Sequence, residues 1–160
     1  YGALFDSLTV GENIAFVDYI NNKLNFRNKV ANSLKEVGLS PDIYKKYPAE
    51  ISGGMKKRVA LARAIYKKPD VIFLDEPTTG LDPVNSDMIN ELILRIIQKK
   101  KMTAITITHD IQSALKTGHN YHFLNEGIVE DSGTCKKLLQ SKNKFLNEFL
   151  LGVKNLQRNK

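Results

Sequence analysis

The sequence predicts an α/β fold built on a parallel sheet, and three stretches carry that prediction. Val71-Ile72-Phe73-Leu74 is a short continuous apolar run after Pro69, as expected of a strand buried on both faces. Ile89, Leu92, Ile93, Ile96 and Ile97 recur at the spacing of one helical face. Thr103 to Thr108 is a second strand-like run, rich in β-branched residues. A strand, a helix and a strand of these lengths make a βαβ crossover, which implies parallel strands and a right-handed connection.

The other elements follow in order. The first zone, to about Lys68, is mainly helical: Val30, Leu34 and Val37 fall at helical spacing, and Gly38 stands where a left-handed C-terminal cap is usual. Pro41 and Pro48 punctuate a loop-rich stretch. Met55, Val59, Ala62 and Tyr66 share a face of a helix that begins near Gly53, with Ser52 as its N-cap. Beyond the crossover, strands are expected around Tyr121-Leu124 and Gly127-Asp131, with Asn125-Glu126-Gly127 as the turn. Helices are expected at Cys135-Gln140 and Lys144-Leu151, and a frayed, polar and basic tail from Lys154.

Composition narrows the class. At 160 residues and 42% hydrophobic content the chain is one domain long and able to bury a core. No apolar run approaches the roughly 18 to 20 residues that cross a bilayer. Tyr1-Gly2-Ala3-Leu4-Phe5 lacks the basic region and cleavage site of a secretory signal and lacks an initiator Met, so the chain reads as a fragment. Cys135 is the single cysteine, which excludes an internal disulfide and fits a reducing compartment. No zinc spacing is present, and His119 and His122 have no further ligands beside them. The net charge of +7 comes from scattered lysines and short runs such as Lys56-Lys57-Arg58 and Lys99-Lys100-Lys101. No aromatic residues interleave with them as a single-strand platform requires, so nucleic acid is not expected as a partner.

Three local patterns bear on chemistry. In Ile51-Ser52-Gly53-Gly54-Met55 two glycines open a helix, which costs helix stability unless something must approach the backbone. A helix start offers N–H groups and a positive dipole end to an anion such as a phosphate, although Ser-Gly-Gly alone is also an ordinary glycine-rich cap. Val71 to Leu74 runs into Asp75-Glu76-Pro77. Two acids ending a buried strand lie at the carboxyl edge of a parallel sheet, where ligands bind in such folds, although paired acids at strand ends are commonly just solvated. There Asp75 suits Mg²⁺, and Glu76 suits a water that attacks a γ-phosphate. His109 follows the strand Thr103-Thr108 and, with parallel strands, emerges at the same edge as Glu76. A lone His is usually structural or exposed; at this edge it suits sensing of a γ-phosphate.

Order and spacing give these signals their weight. Ile51-Ser52-Gly53-Gly54 resembles the ABC signature motif, and Val71 to Glu76 resembles a Walker B strand with its catalytic glutamate. Gly80-Leu81-Asp82 resembles the D-loop, and Thr108-His109-Asp110 resembles the H-switch. The resemblance implies a P-loop NTPase (RecA-like) parallel sheet with the ABC helical subdomain. On it, residues 14–68 form the helical subdomain, 69–133 the core with Walker B, D-loop and H-switch, and 134–160 the C-terminal helices and tail. It also implies ATP and Mg²⁺ as cofactors, and a second ATPase subunit that sandwiches ATP head to tail. Ser52, Gly53 and Gly54 would contact the γ-phosphate of ATP held by the partner. Asp75 would serve Mg²⁺, Glu76 the attacking water and His109 the γ-phosphate, while Asp82 would communicate across the interface.

No G-x-x-x-x-G-K-[ST] phosphate loop occurs in the sequence. In the family that loop and a glutamine loop precede the signature, and Ala3 to Ile14 resembles the segment just after the glutamine. The expectation is that the gene product continues upstream and that this stretch alone is inactive. Met55, where Gln is usual, and Gly2 to Val10 resemble the ATPase subunits of Mla-type phospholipid transporters; Ile51, where Leu is usual, departs mildly. That resemblance implies phospholipid traffic between membranes, permease subunits, an MCE-type substrate-binding protein, and a place on the cytoplasmic face of the inner membrane. For a eukaryote the corresponding place is an organellar inner membrane. ABC ATPases of other transport systems, of DNA repair and of translation share the signature and are the alternatives.

Overall fold

The computed structural model describes residues 4–23 and 25–158, with side chains described to Leu151. Gly2 and Ala3 of the Gly2-Val10 segment, and the last two residues of the basic tail, lie outside the described residues. The chain divides into two compact units, Tyr1–Ile107 and Thr108–Lys160.

The first unit opens with two short helices, α1 (Val10–Ile14) and α2 (Phe16–Ile20), followed by α3 (Arg27–Glu36). Thr9 starts α1 with a capping box: its hydroxyl accepts from the Glu12 N–H, and the Glu12 carboxylate accepts from the Thr9 N–H at 2.7 Å. Buried Asn13 organises the segment before it. Its Oδ1 accepts from the Phe5 N–H at 2.8 Å, and its Nδ2 is shared among the carbonyls of Phe5, Leu8 and Thr9 at 3.0 Å each. Gly38 has φ 70° after α3, as its sequence position predicts. Pro41–Lys45 and Pro48–Glu50 are 3₁₀ turns, each with Pro in its first turn, where a missing N–H costs nothing.

Helix α4 (Gly53–Ile65) closes this helical layer. Val59, Ala62 and Ile65 are buried against Val10, Ile14, Val30, Leu34 and Val37, and Tyr66 is buried with them. Polar ties reinforce the packing. Asp18 on α2 is buried, and its carboxylate accepts from Tyr66 Oη at 2.7 Å and from Lys67 Nζ. Arg58 Nη1 donates to the Val37 carbonyl at 3.3 Å, satisfying a backbone group at the end of α3.

Strand β1 (Val71–Asp75), helix α5 (Pro83–Lys100) and strand β2 (Thr103–Ile107) form the crossover. The strands pair in parallel with Val71 opposite Thr103 and Asp75 opposite Ile107. Ile89, Leu92, Ile93 and Ile96 of α5 are buried in the same core as Ile72 and Leu74. One expectation needs correction: β1 is not buried on both faces. Ile72 and Leu74 face the core, but Val71 is 45% and Phe73 73% exposed, as are Ile105 at 48% and Ile107 at 62% on β2. Alternation along β1 buries Ile72 and Leu74, while on β2 only Ala104 is half-buried, and nothing among the described residues of this unit covers the opposite face.

In the second unit, α6 (Ile111–Thr117) is capped by Asp110, which accepts from the Gln112 N–H at 3.0 Å. Strands β3 (Asn120–Asn125) and β4 (Ile128–Thr134) pair antiparallel, with Asn125 opposite Ile128. The turn is therefore the two-residue Glu126-Gly127, both at positive φ as a hairpin of matching twist requires. Cys135–Gln140 is a 3₁₀ segment rather than an α-helix, a frequent form for so short a connector. Helix α7 (Lys144–Arg158) extends past the expected end at Leu151, with helical backbone where a frayed tail was expected. Leu138, Leu146 and Leu150 form this unit's core with Ile111, Leu115, Tyr121 and Phe123 against it. Among the described residues no helix is long and apolar enough to cross a membrane.

Candidate functional site

The carboxyl end of β1 is where the first unit concentrates chemistry. Asp75 is the last strand residue, exposed and paired in register with Ile107. Glu76 follows with φ 46°, in the left-handed region and directly before Pro77. For a residue with a Cβ that conformation costs roughly 1–2 kcal/mol, and a following proline restricts the backbone further. Neighbours on several sides hold it there. Its N–H donates to the Ile107 carbonyl at 2.9 Å, and its own carbonyl accepts from Lys57 Nζ at 3.0 Å. Its carboxylate Oε2 accepts from Thr79 Oγ1 at 2.6 Å, so the acid group is oriented as well as its backbone.

The turn after Glu76 leads to Gly80, at φ 81°, and then to Asp82. Asp82 caps α5: its Oδ1 accepts from the Asn85 N–H at 3.0 Å. The Asn85 side-chain amide and then its backbone N–H hold the Asp82 carboxyl below the usual carboxylate range. Thus Asp82 has a definite structural task within its own chain.

Ser52 caps α4, its Oγ accepting from the Met55 N–H at 3.3 Å. Ser52 and Gly53 are exposed, and a Cβ added at Gly53 or Gly54 would meet nothing within 4 Å. The start of α4 is therefore open to an approaching group, and the first-turn N–H groups have no intrahelical acceptors. The structure brings this helix to the β1 edge through Lys57, about 7–8 Å along the axis from Ser52. His109 belongs to the second unit, two residues beyond Ile107 in the chain.

Lys57 and Thr79 were not singled out from the sequence. Lys57 read as part of a scattered basic run, and its bond to Glu76 spans nineteen residues of chain that no local pattern reveals. Thr79 stands three residues after the acid, a spacing at which a hydroxyl returns to a turn-forming carboxylate, and that spacing was the available signal.

Comparison with known proteins decides the family. The ABC transporter family model matches residues 2–79. MlaF, the intermembrane phospholipid transport system ATP-binding protein of Haemophilus influenzae, is 36% identical over 154 residues, covering 94% of this chain and 58% of the relative. The thiamine import ATP-binding protein ThiQ of Aliivibrio fischeri is 34% identical over 154 residues, covering 94% of this chain and 65% of the relative. The chain belongs to the ABC transporter ATP-binding family. Its fold agrees with solved ABC proteins. CbiO1 from Clostridium perfringens, part of the ABC transporter complex cbiONQ, superposes with a TM-score of 0.74 at 32% identity, covering 98% of this chain and 63% of that one. The dimeric post-hydrolysis state of the ATP-binding cassette MJ0796 with ADP and Pi gives 0.70 at 28% identity, covering 84% and 60%. The chain spans 58% and 65% of the lengths of the two curated ABC relatives. The expected fold class, a P-loop NTPase of ABC type with a parallel sheet, is thereby confirmed.

Proposed function

We propose that this chain is the signature-bearing and hydrolytic part of an ATPase subunit that energises an ABC transporter. The observation that carries the reading is the restrained Glu76, held in a left-handed turn at the carboxyl edge of a parallel sheet, immediately after Asp75. Strain maintained by several partners is a mark of a working position. Glu76 polarises the water that attacks the γ-phosphate. Asp75 serves Mg²⁺: its carboxylate is exposed at the strand end, and Mg²⁺ needs only one or two carboxylates beside phosphate oxygens and waters. Bound there, the ion would neutralise charge that develops on the phosphate oxygens. Ser52, Gly53 and Gly54 offer backbone donors to ATP held by a second subunit, and their uncrowded surroundings suit such an approach. His109 serves the γ-phosphate, and Asp82 transmits between subunits. Residues 14–68, 69–133 and 134–160 serve as helical subdomain, catalytic core and C-terminal part.

The gripping of the nucleotide belongs to a phosphate loop that residues 1–160 do not contain, so this stretch alone turns over no ATP. The subunit works as a dimer on permease subunits at the cytoplasmic face of a membrane. For the cargo we take phospholipid, with an MCE-type protein as partner. That reading is supported by Met55, by the Gly2 to Val10 segment and by MlaF among the relatives. Relatives named for thiamine and methionine import stand at 34% and 35% identity, so transport assays with labelled phospholipid, thiamine and methionine must decide the cargo. Phospholipid transfer that depends on ATP and on this subunit supports the reading, whereas uptake of a small solute in its place overturns it.

A further inference from the structure

We propose that Lys57 is a positioning residue for Glu76, and that it ties the signature helix of one ATP site to the base that serves the other. The inference rests on the reading of Glu76 as the hydrolytic carboxylate. Two observations carry it together. Glu76 occupies a left-handed conformation at φ 46° before a proline, so its backbone needs external support. Lys57 Nζ supplies that support from α4, donating at 3.0 Å to the Glu76 carbonyl, while the sheet holds the opposite side through the Glu76 N–H and the Ile107 carbonyl at 2.9 Å. The Thr79 N–H also reaches the Glu76 carbonyl at 3.3 Å, and the Thr79 hydroxyl holds the carboxylate. The ammonium thus anchors a turn whose far end orients the acid.

The consequence lies in where Lys57 sits. It is in the second turn of α4, the helix whose exposed start presents Ser52, Gly53 and Gly54. A displacement of α4 when its N-terminus engages a partner-held nucleotide therefore pulls on the carbonyl of the glutamate in its own subunit. Lys57 does not reach the reacting atoms; it acts through the backbone of Glu76. A charge-assisted hydrogen bond is strong enough for its loss to matter at a strained residue.

The test uses the full gene product, with steady-state ATPase kinetics for wild type, Lys57→Met, Lys57→Arg and Glu76→Gln. Methionine keeps the length of the apolar stem and removes the donor, whereas arginine keeps a charged donor. Lys57→Met should lower kcat roughly tenfold, the scale of one hydrogen bond to a charged donor, with KM for ATP unchanged within about twofold. Lys57→Arg should recover most of the loss, and amide exchange at Thr79 should accelerate in the methionine variant alone. The double variant with Glu76→Gln should be no slower than Glu76→Gln itself. If Glu76→Gln is inactive while Lys57→Met keeps wild-type kcat, the positioning role is refuted and the base survives. A kcat loss that arginine does not rescue, with a raised KM and a lowered Tm, assigns Lys57 to packing and also refutes the proposal. Wild-type turnover in Glu76→Gln removes the base itself. Should Lys57→Met fail to fold, Lys57→Arg and Lys57→Gln carry the comparison: kcat near wild type for arginine and reduced for glutamine supports it, and equal kcat refutes it.

Discussion

Replacing Asn13 by Leu tests whether one buried carboxamide holds the entry into the helical layer. The side chain is fully buried and connects to Phe5, Leu8 and Thr9. Not all of these groups lose equally. The Thr9 carbonyl keeps the Asn13 backbone N–H at 2.9 Å, and the Phe5 carbonyl keeps the Leu8 N–H at 3.2 Å. The Phe5 N–H and the Leu8 carbonyl lose the partner that Asn13 supplies. Each unsatisfied buried group costs about 1–3 kcal/mol, and the sites are only part-buried, so about 2–4 kcal/mol in total is expected. For a unit of this size that is a fall in Tm on the order of 10 °C, readable by calorimetry. Asn13→Asp supplies the control. It keeps the acceptor for the Phe5 N–H but turns a charged oxygen toward carbonyls, so it should be as damaging near neutral pH and partly recover once the carboxyl is protonated. A loss below about 1 kcal/mol for Asn13→Leu would refute the claim that these groups depend on the carboxamide.

Bonds from Lys67, then from Tyr66, hold the Asp18 carboxyl at about 2, below its ordinary value of 3.8. A depressed folded-state pKa gives stability that is complete above the unfolded value and disappears as pH falls through the folded one. Wild type should therefore lose this contribution between about pH 4 and 2, and Asp18→Asn should flatten that part of the Tm-against-pH profile. A profile unchanged by Asp18→Asn would contradict it. Thr79→Val removes the hydroxyl on the Glu76 carboxylate with little change in shape, and should lower kcat by about three- to tenfold while leaving Tm within about 2 °C. Thr79→Ser should restore turnover, and full activity in Thr79→Val would show that the carboxylate needs no such partner.

What was legible in the sequence was mostly local. Ser52 could be placed as an N-cap because the capping hydrogen bond spans only three residues, and Gly38 as a left-handed cap because its conformation is set by its own missing Cβ. The α5 face was legible because a helix repeats its burial every turn, and the Asn125-Glu126-Gly127 turn because the sequence there lacks strand formers. The burial of β1 was misjudged because an apolar run does not say how many layers pack on it; that depends on what else covers the sheet. Lys57 with Glu76, and Asp18 with Tyr66 and Lys67, join positions 19, 48 and 49 residues apart, and only the fold brings them together. The left-handed turn at Glu76 was equally hidden, since Glu before Pro favours an extended backbone. Of the candidate site, the identities of Asp75, Glu76 and Ser52 to Gly54 came from motif order, and their surroundings came from the structure.

Activation of water by Glu76 is the step on which hydrolysis depends in the function proposed above. The direct measurement is phosphate release by the full gene product, wild type against Glu76→Gln, in parallel with nucleotide binding and the oligomeric state in ATP. Glu76→Gln should bind ATP as wild type does, accumulate as an ATP-bound dimer and release no phosphate above background. Phosphate release at the wild-type rate by Glu76→Gln, from protein that still binds ATP, would contradict it.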